Sequence, residues 1–296
     1  MNMSTIFDNI TELPSREIAE RAKHLIGFEN KYNRILSNLK LLLDQEGLVE
    51  WSKKFHKTEL PVISQLKEKY PLIILTGDAG TGKTVSAEAI ADRMLRELKK
   101  EGFFLKLSTR VRGEGLHGQM GNLVNDAFAE LKTQAGKKRI AFLLIDEADA
   151  IASTRSTMQM HQEEKAAVNT LIQKIDEIRE LNGRAILFMS TNRLHFLDEA
   201  IVRRAAIILE FERPTFEERV LLFKTSLAGV EITDKQLEEL ANLSGEKSNN
   251  GLSFSFSDIR LRILPEAVAK CFPDKALDFE TVAETIKKLN PSPKIV

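Results

Sequence analysis

The stretch Pro71-Leu72-Ile73-Ile74-Leu75-Thr76-Gly77-Asp78-Ala79-Gly80-Thr81-Gly82-Lys83-Thr84 decides the reading of this chain. Its first half is a short apolar run of the kind found in strands covered on both faces. Its second half fits the spacing G-x-x-x-x-G-K-[ST], and Ala87, Ile90, Ala91, Met94 and Leu98 then recur at helical intervals up to a stop near Gly102. Strand, glycine-rich turn and helix in that order build an anion cradle. The glycines let successive backbone N–H groups turn inward, and the helix adds the positive end of its dipole. In such a loop Lys83 reaches the β- and γ-phosphates of a nucleotide and Thr84 binds Mg2+ through its hydroxyl. Nucleotide contacts are therefore expected from Gly77, Asp78, Ala79, Gly80, Thr81, Gly82, Lys83, Thr84 and Val85. The bland alternative, a turn that merely joins strand to helix, is disfavoured because both flanks are correct.

Outward from this stretch, apolar runs alternate with helical patterns from about residue 70 to 212, which predicts an α/β parallel sheet. The strand candidates are residues 71–76, 103–108, 140–145, 185–190 and 207–211, five in all. A further helix carries Val168, Leu171, Ile172, Ile175 and Ile178, with Gly183 as its end signal, and another spans residues 30–44. After Pro214 the strand signal disappears. Helices are expected around 216–227, 234–243, 257–271 and 279–289, with an exposed loop at 244–251. The first 22 residues hold too few apolar positions to place and read as a flexible segment. The expected division is thus residues 1–22, an α/β domain at 23–212 and a small all-helical domain at 213–296.

Two further stations lie at strand ends. The run Ile140–Ile145 is followed by Asp146-Glu147, two acids at the carboxyl end of a buried strand, where open α/β sheets hold their ligands. Asp146 would hold Mg2+, directly or through water, and Glu147 would polarise an attacking water. Without the phosphate loop, a solvated turn or a helix cap would explain both acids equally well. A third strand ends in Met189-Ser190-Thr191-Asn192, and the Asn192 amide would orient that water, unless it serves only as a turn residue.

Composition bounds the rest. Lys plus Arg and Asp plus Glu each number 43 in 296 residues, so no global basic field draws the chain to nucleic acid or acidic lipid. Apolar runs fall far short of a membrane span, and the N-terminus lacks a secretory pattern. Cys271 is the single cysteine, which excludes an intrachain disulfide and a thiolate metal cluster. A cytoplasmic protein is expected. His117 and His161 show no paired-ligand spacing and are not read as a metal site.

The phosphate loop, the paired acids and Asn192, in this order and followed by a helical region, resemble the AAA+ ATPases from about Ile26 to Leu289. The resemblance implies a P-loop AAA+ fold, a parallel five-stranded sheet domain followed by a small all-helical lid, with ATP and Mg2+ as cofactors. It also implies that Ile26 and Gly27 bracket adenine, that Glu147 is the catalytic glutamate and that Asn192 is the sensor 1 residue. The segment 197–206 is similar to the arginine-finger region, in which Arg203 or Arg204 reaches the ATP of a neighbouring subunit and stabilises charge on the γ-phosphoryl group. Closer likeness lies in Val202-Arg203-Arg204-Ala205, in residues 151–156 and 168–178, and in Ser257-Asp258-Ile259-Arg260-Leu261-Arg262-Ile263-Leu264-Pro265. These resemble the pachytene-checkpoint branch, whose members remodel HORMA-domain proteins. In the last segment Arg260 or Arg262 would be the sensor 2 residue. The short N-terminal segment resembles the compact bacterial form, which accompanies HORMA proteins and nucleotidyltransferases in cyclic-oligonucleotide antiphage systems.

What this implies is an ATP-driven remodeller, a homohexamer acting on a HORMA-domain partner, with no membrane and with nucleic acid disfavoured. The loop matching the first pore loop is residues 113–120, with Leu116 or His117 where many relatives carry an aromatic, and residues 153–164 match the second. Two other readings compete. A helicase-loader or initiator-like ATPase would use a basic stretch such as 110–112 on single strands, and a nucleotide-dependent switch would not need Glu147.

Overall fold

The computed structural model describes residues 6–108, 119–152 and 162–294, and divides into two compact units. The first comprises Phe28–Thr76, Thr84–Glu210 and the N-terminal stretch up to His24. Its sheet has six strands, β1 (Phe7–Leu13), β2 (Leu72–Gly77), β3 (Gly102–Leu107), β4 (Ile140–Ile145), β5 (Ala185–Thr191) and β6 (Ile207–Phe211). Their order is β1-β3-β4-β5-β2-β6, with β3, β4, β5 and β2 parallel neighbours. The last residues of β2 and β6, Gly77 and Phe211, belong to the second unit.

All six residues of β4 and all seven of β5 are buried, the signature of strands covered on both sides. Side chains alternate between faces. On one face Leu72, Ile74, Leu143, Ile145, Leu187 and Met189 pack with Leu123, Phe128 and Leu131 and with Val168, Leu171 and Ile175. On the other, Phe188 stacks on Phe142 with centroids 6.1 Å apart and tilts against Phe104 at 6.4 Å. The helices of this unit are α1 (Arg16–Ala22), α2 (Phe28–Leu43), α3 (Gln45–His56), α4 (Pro61–Lys67), α5 (Lys83–Leu98), α6 (Gln119–Ala135), α7 (Gln162–Arg179) and the one-turn α8 (Glu199–Val202). Helix α5, which follows the phosphate loop, is tied to α2 by the Tyr32 hydroxyl on the Met94 sulfur, 3.7 Å, and by the Arg93 guanidinium over the Tyr32 ring, 4.5 Å.

The sheet departs from the five-stranded expectation at its N-terminal edge. Residues 7–13, which the apolar pattern left unplaced, form β1, antiparallel to β3 from Phe7↔Leu107 to Leu13↔Gly102. An edge strand is held mainly by its backbone ladder, and here only the end residues Phe7 and Leu13 are buried, so the sequence carries almost no period-two signal. Ser15 then caps α1 by accepting from the Ile18 amide.

The second unit comprises Leu25–Gly27, Gly77–Lys83 and Phe211–Val296. Its helices are α9 (Phe216–Ser226), α10 (Asp234–Leu243), α11 (Leu264–Cys271) and α12 (Phe279–Lys288). Thr215 with Glu218 and Thr233 with Gln236 form capping boxes at the starts of α9 and α10. Leu222, Phe223, Leu240, Phe254, Ile259, Ile263, Val282 and Ile286 make the core. The single helix expected over 257–271 begins at Phe256–Asp258, widens into a π turn at Ile259–Ile263 and continues as α11. Pro265 has no N–H to give a preceding carbonyl, and the wide turn just before it absorbs the mismatch without ending the helix. The expected exposed loop starts later than residue 244, because Ser244 is fully buried and its hydroxyl donates to the Leu240 carbonyl, 2.8 Å.

Phe188→Ala removes the middle ring of the aromatic run inside the sheet, and is expected to lower stability by about 3–5 kcal/mol. Urea unfolding followed by circular dichroism checks this.

Candidate nucleotide site

In the second unit the loop Gly77–Lys83 adopts the backbone that its glycines permit. Gly77, Gly80 and Gly82 have φ of 135°, 72° and 91°. Two of them also have no room for a side chain: a Cβ on Gly77 would lie 2.0 Å from the Phe211 carbonyl oxygen, and one on Gly80 would lie 2.6 Å from the Ser257 Cβ. Lys83 Nζ donates to the Gly77 and Asp78 carbonyls at 2.9 and 2.8 Å, and Thr81 Oγ1 donates to the Asp78 carbonyl at 2.8 Å. The Ser257 amide donates to the Gly80 carbonyl, 3.1 Å. Ile26 packs against the core of this unit, and Gly27 beside it turns with φ 74°. Val85 is half-buried, on the first turn of α5.

In the first unit, Thr84 Oγ1 donates to Asp146 Oδ2 at 2.8 Å. The Ser190 hydroxyl donates to Asp146 Oδ1, and Lys106 Nζ lies 3.9 Å from Oδ2. Thr191 Oγ1 donates to Asp149 Oδ1 at 2.8 Å, so two consecutive residues of β5 each pin one acid of the turn after β4. Between those acids Glu147 is exposed and left-handed, φ 49° and ψ 50°, a conformation costly for a residue with a Cβ and concentrated at functional sites. Asn192 follows the last residue of β5 and is half-buried. Because β5 lies between β4 and β2 in the sheet, Asp146, Glu147 and Asn192 leave adjacent strands at the same end.

A threonine hydroxyl and one carboxylate are hard oxygen donors of the kind Mg2+ takes from a protein, its other ligands being water and phosphate oxygens. The pair Thr84 and Asp146 therefore fits Mg2+. Among the described residues, no three His, Cys, Asp or Glu gather as a metal held by protein alone would require.

The structure separates the two pairs of candidate arginines. Arg204 is engaged within its own chain: Nε and Nη2 donate to Asp176 at 2.7 and 3.2 Å, Nη1 donates to the Ala200 carbonyl, and the guanidinium lies over Tyr70. The Asp176 hydrogen bond raises its pKa further. Arg203 has a side chain 79% exposed and pairs with Glu199 one turn back. In the π turn, Arg262 donates to Asp258 at 2.7 Å and to the Ser292 hydroxyl at 3.3 Å. Arg260 is half-buried, and burial pushes its pKa below the ordinary guanidinium range. Leu116, His117 and most of 153–164 lie outside the described residues, so the two pore-loop expectations are neither met nor corrected.

Three contributors escaped the sequence reading. Ser190 and Thr191 look like ordinary strand residues, and Lys106 sits in an apolar run. A hydroxyl pair next to Asn192 at the end of a buried strand was the available signal.

The model of the ATPase family associated with various cellular activities (AAA) matches residues 73–213. Across 99% of the chain and 98% of the relative, 48% of residues are identical to the CD-NTase-associated protein 6 of Escherichia coli strain KTE188. The chain is an AAA+ ATPase of the pachytene-checkpoint branch. A chain in a solved E. coli MS115-1 HORMA:CdnC:Trip13 complex superposes on this ATPase with a TM-score of 0.91 at 35% identity, covering 100% of this chain and 99% of that one. The Rhizobiales Trip13 structure gives 0.74 at 30% identity, covering 97% and 100%. No helix among the described residues of the ATPase is long and apolar enough to cross a membrane.

Asp258 closes the account of the second unit. Burial raises the pKa of its carboxyl, but bonds from the Ser292 hydroxyl, the Ser255 amide and Arg262 outweigh burial and hold it at about 2. A carboxyl depressed in the folded state stabilises above its unfolded pKa, and that contribution is lost as pH falls through the folded value. Stability of the helical unit is expected to drop by about 2 kcal/mol between pH 4 and pH 2. Asp258→Asn should remove that acid limb from the unfolding midpoint measured against pH.

Proposed function

We propose that the chain hydrolyses ATP to ADP and phosphate with Mg2+, and spends that energy opening a HORMA-domain partner as a homohexamer within CD-NTase-linked antiphage signalling. One observation carries this reading: the full-length match to a chain solved in a HORMA:CdnC:Trip13 complex. By the same likeness the HORMA protein, with its nucleotidyltransferase, is the proposed partner. A nucleic-acid role gains nothing from the zero net charge, and the basic stretch 110–112 lies outside the described residues.

The chemistry follows from the residues in hand. The amides of Gly77–Lys83 receive the phosphate oxygens, and Lys83 swings its ammonium from the loop carbonyls to the β- and γ-phosphates. Thr84 and Asp146 would hold Mg2+, which when bound neutralises charge on those phosphates. Glu147 takes the proton of the attacking water and Asn192 orients that water. The left-handed backbone at Glu147, between two acids that the β5 hydroxyls pin, supports this role because it sets where the side chain leaves the turn. Arg203 is the proposed finger acting on a neighbouring subunit, since Arg204 is committed to Asp176. Arg260 is the proposed sensor 2 residue, since Arg262 is committed to Asp258. Ile26 and Gly27 bracket the base.

Lys83→Ala is expected to abolish ATP binding, and Glu147→Gln to keep binding while cutting turnover by at least about a hundredfold. A phosphate-release assay beside a binding titration separates the two, and normal hydrolysis by the Gln variant removes Glu147 from its role. Titrating Arg203→Ala into wild type should depress activity more steeply than dilution, whereas Arg204→Ala should chiefly lower the melting temperature. Strictly proportional loss with Arg203→Ala would sink the trans assignment.

A further inference from the structure

One buried ion pair in the second unit takes no part in these steps. Asp78 is the second residue of the phosphate loop, and Arg213 lies just beyond β6; their side chains are only 6% and 8% exposed. Arg213 Nε donates to Asp78 Oδ2 at 2.6 Å, while Asp78 Oδ1 accepts from the Ala79 amide at 3.0 Å. Nη1 and Nη2 of the guanidinium each donate to a backbone carbonyl, those of Ser253 and, at 2.7 Å, of Ser292. The same Ser292 donates from its amide to Asp258 Oδ2 at 3.2 Å, so the residue that holds Arg213 is itself held by a buried carboxylate.

A carboxylate here is an odd choice. The loop gathers N–H donors to receive a highly charged anion, and a like charge a few ångströms away in a region shielded from water opposes that anion strongly. The Asp78 carbonyl also holds both Lys83 Nζ and Thr81 Oγ1, so any turn of this residue moves the groups that face the phosphates. Arg213 answers both problems, because it cancels the charge and its three anchored N–H directions fix where the carboxylate lies.

We propose that Arg213 is a positioning residue of the nucleotide site, one that neutralises Asp78 and holds the phosphate loop in its anion-accepting form. The proposal rests on the phosphate-loop reading above. With Arg213 removed, an uncompensated buried carboxylate would face the incoming phosphates.

The test is titration of full-length protein with a fluorescent ATP analogue, with melting temperature as the check on folding. Wild type and Lys83→Ala come first. If wild type shows no saturable binding, or Lys83→Ala binds equally, the phosphate-loop reading itself has failed. Given a functioning loop, Arg213→Gln is expected to weaken ATP at least about tenfold, and to weaken AMP far less. In the Asp78→Asn background the same loss should cost little, the double variant Asp78→Asn/Arg213→Gln binding within about threefold of Asp78→Asn alone. A loss that falls on ATP and spares AMP, at an unchanged melting temperature, is what a merely structural pair would not give. Wild-type affinity in Arg213→Gln, or a double variant as weak as the single, overturns the proposal. If Arg213→Gln does not fold, the double variant against Asp78→Asn carries the comparison, and a tenfold gap between those two overturns it.

Discussion

Burial of β4 on both faces is the constraint from which the candidate site follows. No residue from Ile140 to Ile145 can carry a charge without stranding it inside the sheet, so the first place where a carboxylate can stand is the step out of it, Asp146. The same holds for β5, fully buried to Thr191, whose two closing residues bring hydroxyls rather than charges and spend them on Asp146 and Asp149. Parallel strands all emit their reactive groups at one end. Once β3, β4, β5 and β2 are parallel, the acids, the Asn192 amide and the Thr84 hydroxyl have little choice of location within the first unit.

The second unit solves a different problem, which is to hold a loop whose backbone turns through glycines at positive φ. It does so by crowding: the Phe211 carbonyl behind Gly77, the side chains of Ser255 and Ser257 against Gly80, and the Ser257 amide on the Gly80 carbonyl. The π turn that follows serves a related end, for it carries Arg260 and Arg262 in a helix that Pro265 would otherwise interrupt. Asp258, immediately before that turn, gathers the Ser255 cap, Arg262 and Ser292, and so joins the segment 255–262 to the later stretch at Ser292 through one carboxylate.

Features written in periodic apolar spacing, or in residues with few alternative uses, were legible in the sequence. The buried strands, the phosphate loop, the Asp146-Glu147 step and the lid helices are of this kind. What was illegible depends on long-range partners. The strand Phe7–Leu13 is chosen by the free edge of β3 and not by its own apolar content. The ion pair between Asp78 and Arg213 joins residues 135 apart in the chain, and neither one alone looks unlike a surface charge. The proposed choice between Arg203 and Arg204 rests on Asp176, one helix away, and that between Arg260 and Arg262 on Asp258. Shared spacing made the members of each pair equivalent until their neighbours were known.

The left-handed backbone at Glu147 has one more consequence. Glycine would sit there without steric cost and asparagine at little, whereas glutamate carries a standing penalty of order 1 kcal/mol. Laboratory selection for heat tolerance would reward those exchanges while discarding the carboxylate. With Glu147 in its proposed role, hardier versions of this protein obtained without an activity screen would be enriched in inert ones, and the residue to sequence first among them is 147.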